Sequence, residues 1–249
     1  MPIQHSAAVL RSETSPGALT AVAAVALAEA IRQKLDIPSD SAALLWAALR
    51  RNPDAEWARS ATEAIGEVAD APAISLVLRA LLDRDTGVAL ANRAIEVLSG
   101  PAAAPHVSDR NLGEIADRAR GRLVFTTATM ILSVCEHRRV PQETVKKIAE
   151  TWSRRSDTES RQSALDLTQH VPREVAQQLV EGALSDGSLA IRATAVTKIA
   201  ELYGREHGLA IVARALRTET DARMIAYLLN AWGGLLTNAP ARASEERTN

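Results

Sequence analysis

The sequence predicts an all-α chain of repeated antiparallel helix pairs, an α-solenoid. Three observations carry that prediction. Alanine, the best helix former, supplies 47 of the 249 residues. Aromatic residues make up only 3%, although strands favour them, so sheet-rich classes are excluded. Two independent markers also recur at matched intervals, the signature of a repeat array. With 47% hydrophobic residues, the chain can bury a sizeable core.

The first marker is an alanine with apolar residues four positions either side. Trp57-Ala61-Ile65 is followed by Leu90-Ala94-Leu98, Val124-Ala128-Leu132 and Ile191-Ala195-Ile199, with weaker copies at Ala164 and Ala226. The six alanines step by 33, 34, 36, 31 and 31 residues. Residues four apart share a helix face, and a central alanine lets a neighbouring helix come close. The second marker is proline, at Pro38, Pro72, Pro105, Pro141 and Pro172, with steps of 34, 33, 36 and 31. Proline suits a first helical turn, where its missing N–H costs nothing. The two series run half a repeat out of phase, so each unit is a helix A, a turn, a helix B and a turn.

The elements follow in order. Residues 1–16 read as a partly flexible segment, and the repeat domain as 17–237. The first A helix spans 17–35, with Ser15-Pro16 as cap and first-turn proline. Later A helices fall at 55–69, 87–99, 121–136, 157–169, 188–202 and 220–236. B helices fall at 39–51, 72–82, 107–119, 141–153, 172–184 and 206–216. Turn chemistry separates them at Asn52-Pro53-Asp54, Asp83-Arg84-Asp85, Ser99-Gly100-Pro101 and Ser185-Asp186-Gly187. The Ala- and Pro-rich stretch 100–106 reads as the loosest connection. Residues 238–249 are polar and aperiodic and are expected to be disordered.

Composition bounds the function. One cysteine, Cys135, excludes an internal disulfide framework and a multi-cysteine metal site. A net charge of −1 gives no global field toward nucleic acid or membrane. The near-apolar run Ala18–Ala28 is too short to span a bilayer. It reads as a helix rather than a signal-peptide core, since Glu13 accompanies Arg11 in its flank. A cytoplasmic location is the expectation, and 25 Arg against 4 Lys suggests a GC-rich bacterial genome.

Helix pairs of 31–36 residues with a proline opening the second helix resemble the HEAT-like repeat superfamily. The resemblance covers about residues 17–236. Its best copy is the stretch 185–200, with an acidic turn residue, the pair Ile191-Arg192, Ala195 and Ile199. Arg161, Arg192 and Arg223 each precede a marker alanine by three. They would form a ladder on successive A helices beside Asp157, Asp186 and Asp221. Arg59 and Arg93 sit elsewhere relative to their alanines. The resemblance implies a right-handed α-solenoid of about six to seven antiparallel helix pairs. It also implies that B helices line the concave side, where partners bind.

The sequence holds few groups suited to catalysis. Nucleophilic catalysis needs a nucleophile beside a base and an orienting acid. Cys135, Glu136 and His137 are neighbours in sequence, which point different ways on a helix. Cys135 therefore reads as a structural residue at a buried helix end. Some HEAT-like metalloenzymes carry repeated His-Glu pairs. Here the order is reversed, at Glu136-His137 and Glu206-His207 only. No catalytic residue, metal or cofactor is expected.

Two binding surfaces are candidates. The B-helix stretches Ala42–Leu49 and Ile74–Leu78 are apolar almost all round, whereas the later B helices alternate. A helix apolar on every side expects cover on every side. Either the first A helix folds over it, or Leu44, Trp46, Leu76 and Val77 bind another protein or a second copy. The alternative is nucleic acid on a basic ridge of Arg118, Arg120, Arg122, Arg138, Arg139, Lys146, Lys147, Arg154 and Arg155. Trp57 and Trp152 sit at core positions and do not join it. An enzyme on the same scaffold is the third possibility.

Overall fold

The structure, a computed structural model, describes residues 2–12 and 17–237. The expected cap Ser15-Pro16 and the tail 238–249 lie outside them. The chain divides into two compact units, Met1–Ile148 and Ala149–Asn249. The first holds α1 (Ile3–Arg11), α2 (Gly17–Arg32), α3 (Ser41–Arg51), α4 (Ala58–Val68), α5 (Ala71–Leu81), α6 (Val88–Leu98), α7 (Asp109–Arg118) and α8 (Arg122–His137). The boundary falls in α9 (Gln142–Ser153). The second holds α10 (Thr158–Asp166), α11 (Arg173–Ala183), α12 (Leu189–Leu202), α13 (Arg205–Thr218) and α14 (Ala222–Thr237). No strand occurs among the described residues.

Every segment expected to be helical is a helix, and the A/B alternation is the packing order. In the first unit the A helices α2, α4, α6 and α8 pack in succession, and the B helices α3 and α5 pack beside each other. In the second unit α10, α12 and α14 form the A row, with α11 on α12 and α13 on α14. This is the stacking of an α-solenoid, in which each pair buries its apolar stripe against the next.

The marker alanines explain the stacking. Ala61, Ala94, Ala128, Ala164 and Ala195 are all buried. The sixth, Ala226, is exposed. Helix α14 instead buries Met224 and Leu228, two residues either side, so its inward stripe is rotated from the expected register. Trp57 and Trp152 are core residues as expected.

The proline marker is less uniform. Pro72 lies in the first turn of α5, where the Asp70 carboxylate accepts the Ala73 N–H at 2.9 Å. Pro141 and Pro172 directly precede α9 and α11. Pro105 does not open α7. It lies in a 3-10 turn, Ala104–His106, and α7 starts instead from a capping box between Ser108 and Asn111.

Two further findings depart from the sequence reading. Residues Ile3–Arg11 form a helix whose Ala7, Val9 and Leu10 are buried, packed on α2 and α3. Arg11 grips Asp40 with two nitrogens, at 2.8 and 3.2 Å. The stretch 100–106 is also not loose: Ala103 and Ala104 are buried. The Ala102 N–H donates to the Gly66 carbonyl at 3.2 Å. Gly100 lies so close to the Gly66 backbone that a Cβ on it would fall 2.7 Å from the Gly66 carbonyl carbon.

Candidate functional site

The apolar B-helix surface is smaller than the sequence implies. Helix α3 is packed by α1, α2, α4 and α5. Trp46 is 1% exposed and Val77 is 0% exposed, so both belong to the core and cannot contact a partner. Leu76 is 38% exposed on α5, and Leu44 is half-buried on α3. Around them Ala47 and Pro72 are exposed. What remains accessible is Leu76 on α5 and part of Leu44 on α3, two B helices that pack beside each other. The B helix that follows, α7, exposes Arg110, paired with Glu114 at 2.8 Å.

The basic residues of the first unit fall into separate groups. Arg118 ends α7, Arg120 lies in the turn and Arg122 starts α8, whereas Arg138 and Arg139 follow the far end of α8. Sixteen residues separate those groups, about 24 Å of helix. Arg138 is already paired with Asp109, and Lys146 with Glu143 at 3.3 Å. Lys147 is exposed on α9, while Arg154 and Arg155 belong to the second unit.

Arg118 and Arg120 instead line a crevice of about 380 Å³ in the first unit, between the ends of α5 and α7 and the starts of α6 and α8. Its floor is apolar, with Ile95 and Ile115 nearly inaccessible. Arg120 donates to the carbonyls of Asp117 and Ala119 at 2.6 and 2.7 Å, which folds the turn back on itself. Gly121 has φ +52°, a left-handed conformation that glycine adopts freely, and it swings the chain into α8. Thr127 also lines the crevice. Its buried hydroxyl has no hydrogen-bond partner.

In the second unit the arginine ladder forms, with a different connectivity from the one expected. Arg161 on α10 reaches forward to Asp186 in the turn before α12, at 2.7 Å. It also donates to the carbonyls of Arg155 and Ser156. Arg192 on α12 repeats this with Glu219, at 3.1 Å, and with the carbonyls of Asp186 and Gly187. Asp157 serves as a helix cap instead, accepting the Ser160 N–H at 2.8 Å. Among the described residues Arg223 pairs with Asp221, two positions before it. Burial pushes the Asp186 carboxyl up, but hydrogen bonds from Arg161 and Ser188 outweigh it and hold the group below its usual range. A larger crevice here, about 670 Å³, is lined by arginines already neutralised: Arg192 by Glu219, Arg214 by Glu181 at 2.7 Å.

Cys135 is half-buried, and burial pushes its thiol up to about 11, so it is a thiol at neutral pH. The His137 ring turns back to the Ser133 carbonyl at 2.8 Å. No cluster of three or more His, Cys, Asp or Glu residues that could hold a metal ion occurs among the described residues. No described helix is long and apolar enough to cross a membrane.

Sequence reasoning missed two surfaces. The outer side of α2 exposes Leu19, Val22 and Val25. The signal was the run Ala18–Ala28, apolar on every face. The crevice around Thr127 left no linear signal, because its residues come from four helices.

Fold and surface together define an all-α protein of stacked helix pairs. No protein-family model and no curated protein matches the chain. Among solved structures it is similar to the complex of CpcE and CpcF of phycocyanin lyase from Nostoc sp. PCC7120, at 16% identity and TM-score 0.44, covering 94% of this chain and 95% of that one. It is also similar to an archaeal HEAT-like repeats protein from Thermococcus onnurineus NA1, at 12% identity and TM-score 0.47, covering 94% and 97%. Likeness this distant concerns the path of the backbone and not what the chain binds.

Proposed function

We propose that this chain is a non-catalytic interaction module that binds another protein through the first two B helices. One observation carries the reading. Leu76 on α5 is exposed and Leu44 on the neighbouring α3 is only half-buried, although α1, α2 and α4 close the rest of α3. Uncovered apolar surface on a repeat array is where partners gain affinity, because its burial is favourable and each repeat holds it rigidly.

The test is affinity capture of the tagged full chain from its own cell lysate after nuclease treatment. A stoichiometric protein retained by the wild type, and lost from Leu76→Glu and Leu44→Glu, is the expected result. The variants must elute and melt like the wild type, as expected for residues with solvent access. Retention by both variants, or a partner that disappears with nuclease, would overturn the reading.

A further inference from the structure

We propose that the crevice around Thr127 is a second binding site, for a small amphiphilic carboxylate: an anionic head on a short apolar body. It goes beyond the protein-binding reading and uses neither Leu44 nor Leu76. The volume of about 380 Å³ is within the range of small-molecule sites, about 300–1,000 Å³. Leu81, Ala91, Ile95, Ile115 and Leu123 give it an apolar floor that a bare inorganic anion would not use.

The charged groups at the mouth select the sign of the ligand. Arg84 and Arg118 are exposed and make no hydrogen bond or ion pair within the described chain. Arg120 is held by two carbonyls and shapes the turn. Two acids also line the crevice. Asp83 accepts the Asp85 N–H at 3.1 Å in its own turn, and Asp117 sits at the end of α7. Three arginines against two aspartates leave one excess positive charge. The larger crevice of the second unit differs on this point, since its arginines are neutralised by acids of the chain itself. A planar guanidinium fork matches a carboxylate in two parallel hydrogen bonds.

Thr127 is the independent observation. Helical threonines commonly return their hydroxyl to the carbonyl four residues back, as Thr62 does to Ala58 at 2.7 Å and Thr129 to Phe125 at 3.1 Å. Thr127 does not, and its hydroxyl is buried without a partner while lining the crevice. A buried polar group left unpaired is costly. The hydroxyl has no accessible surface, so a ligand oxygen reaches and satisfies it only with a shift of the side chains above it.

The experiment is calorimetric titration of the full chain with octanoate at low salt, with 1-octanol and inorganic phosphate as comparisons. Saturable octanoate binding is expected, about tenfold tighter than either comparison, because only octanoate offers both a charged head and an apolar body. The double variant Arg84→Gln/Arg118→Gln, altered only on the surface, should weaken octanoate about tenfold. Thr127→Val should weaken it about threefold and Thr127→Ser should restore it. Absence of saturable octanoate binding would overturn the proposal. So would octanol binding as tightly, or undiminished binding in the double variant.

Discussion

Both units join neighbouring repeats with arginines, the first at Arg138–Asp109 and from Arg93 to the Pro53 carbonyl, but they differ in what accompanies them. In the first, backbones come into near contact: Gly66 on α4 and Gly100 after α6 leave no room for a side chain between them, and the Gly66 carbonyl accepts a hydrogen bond from Ala102. A further tie runs from the Ser133 hydroxyl on α8 to the Ser99 carbonyl, at 2.6 Å. In the second, the tie is ionic and runs one way. Arg161 and Arg192 each hold the carbonyls of their own preceding turn and the acid of the next. A solenoid needs only that each pair be joined to its neighbour. Small residues achieve this by proximity, and arginines achieve it by reach.

The comparison can be broken at each tie. The largest effect is expected from Gly100→Ala. Its new Cβ would press on the Gly66 backbone, which no rotamer change can relieve. A loss of about 3 kcal/mol is expected, at the upper end for overpacking, read by urea denaturation.

Next comes Arg161→Ala, which removes one ion pair and two carbonyl contacts at a site where both partners are mostly buried. A loss of about 2 kcal/mol at neutral pH is expected for charge-assisted bonds of this kind. The pH dependence sharpens this. Asp186 is held below its usual value in the folded chain, so its contribution is present above the unfolded carboxylate value. It is lost as pH falls through the depressed folded value. Acid titration of stability should therefore be shallower in Arg161→Ala than in the wild type.

The smallest effect has the opposite sign. Burial pushes the Asp166 carboxyl up, with Lys198 only partly opposing, and the residue ends α10 where the helix dipole also disfavours an anion. Folding therefore favours the protonated acid, and stability falls as pH rises from the unfolded value through the raised folded one. Asp166→Asn should gain about 0.5–1 kcal/mol at pH 7, measured as a melting shift that disappears in acid.

Much of this architecture is legible because it is periodic. Ala61, Ala94, Ala128, Ala164 and Ala195 announce the stacking rows, since only a small residue can sit where helices cross closely. Helix α1 is not legible because it lies outside the period and is held by burial on α2 and α3. Trp46 and Val77 show the limit of pattern reading at the site. An all-round apolar helix announces cover, but its sequence does not say which side the chain itself covers. The ladder was visible as arginines. Asp186 was visible as a turn acid, but its pairing with Arg161, 25 residues upstream, was not, nor was Glu219, 27 residues beyond Arg192. The crevice needed the fold, since Leu81, Ile95, Ile115 and Thr127 share no sequence pattern.

Partner binding by the first two B helices has a direct readout. Hydrogen exchange of the full chain, alone and in the captured complex, tests it most directly. Added protection concentrated in Ser41–Arg51 and Ala71–Leu81 is expected. Protection confined to α11 and α13, or none on α3 and α5, would contradict it.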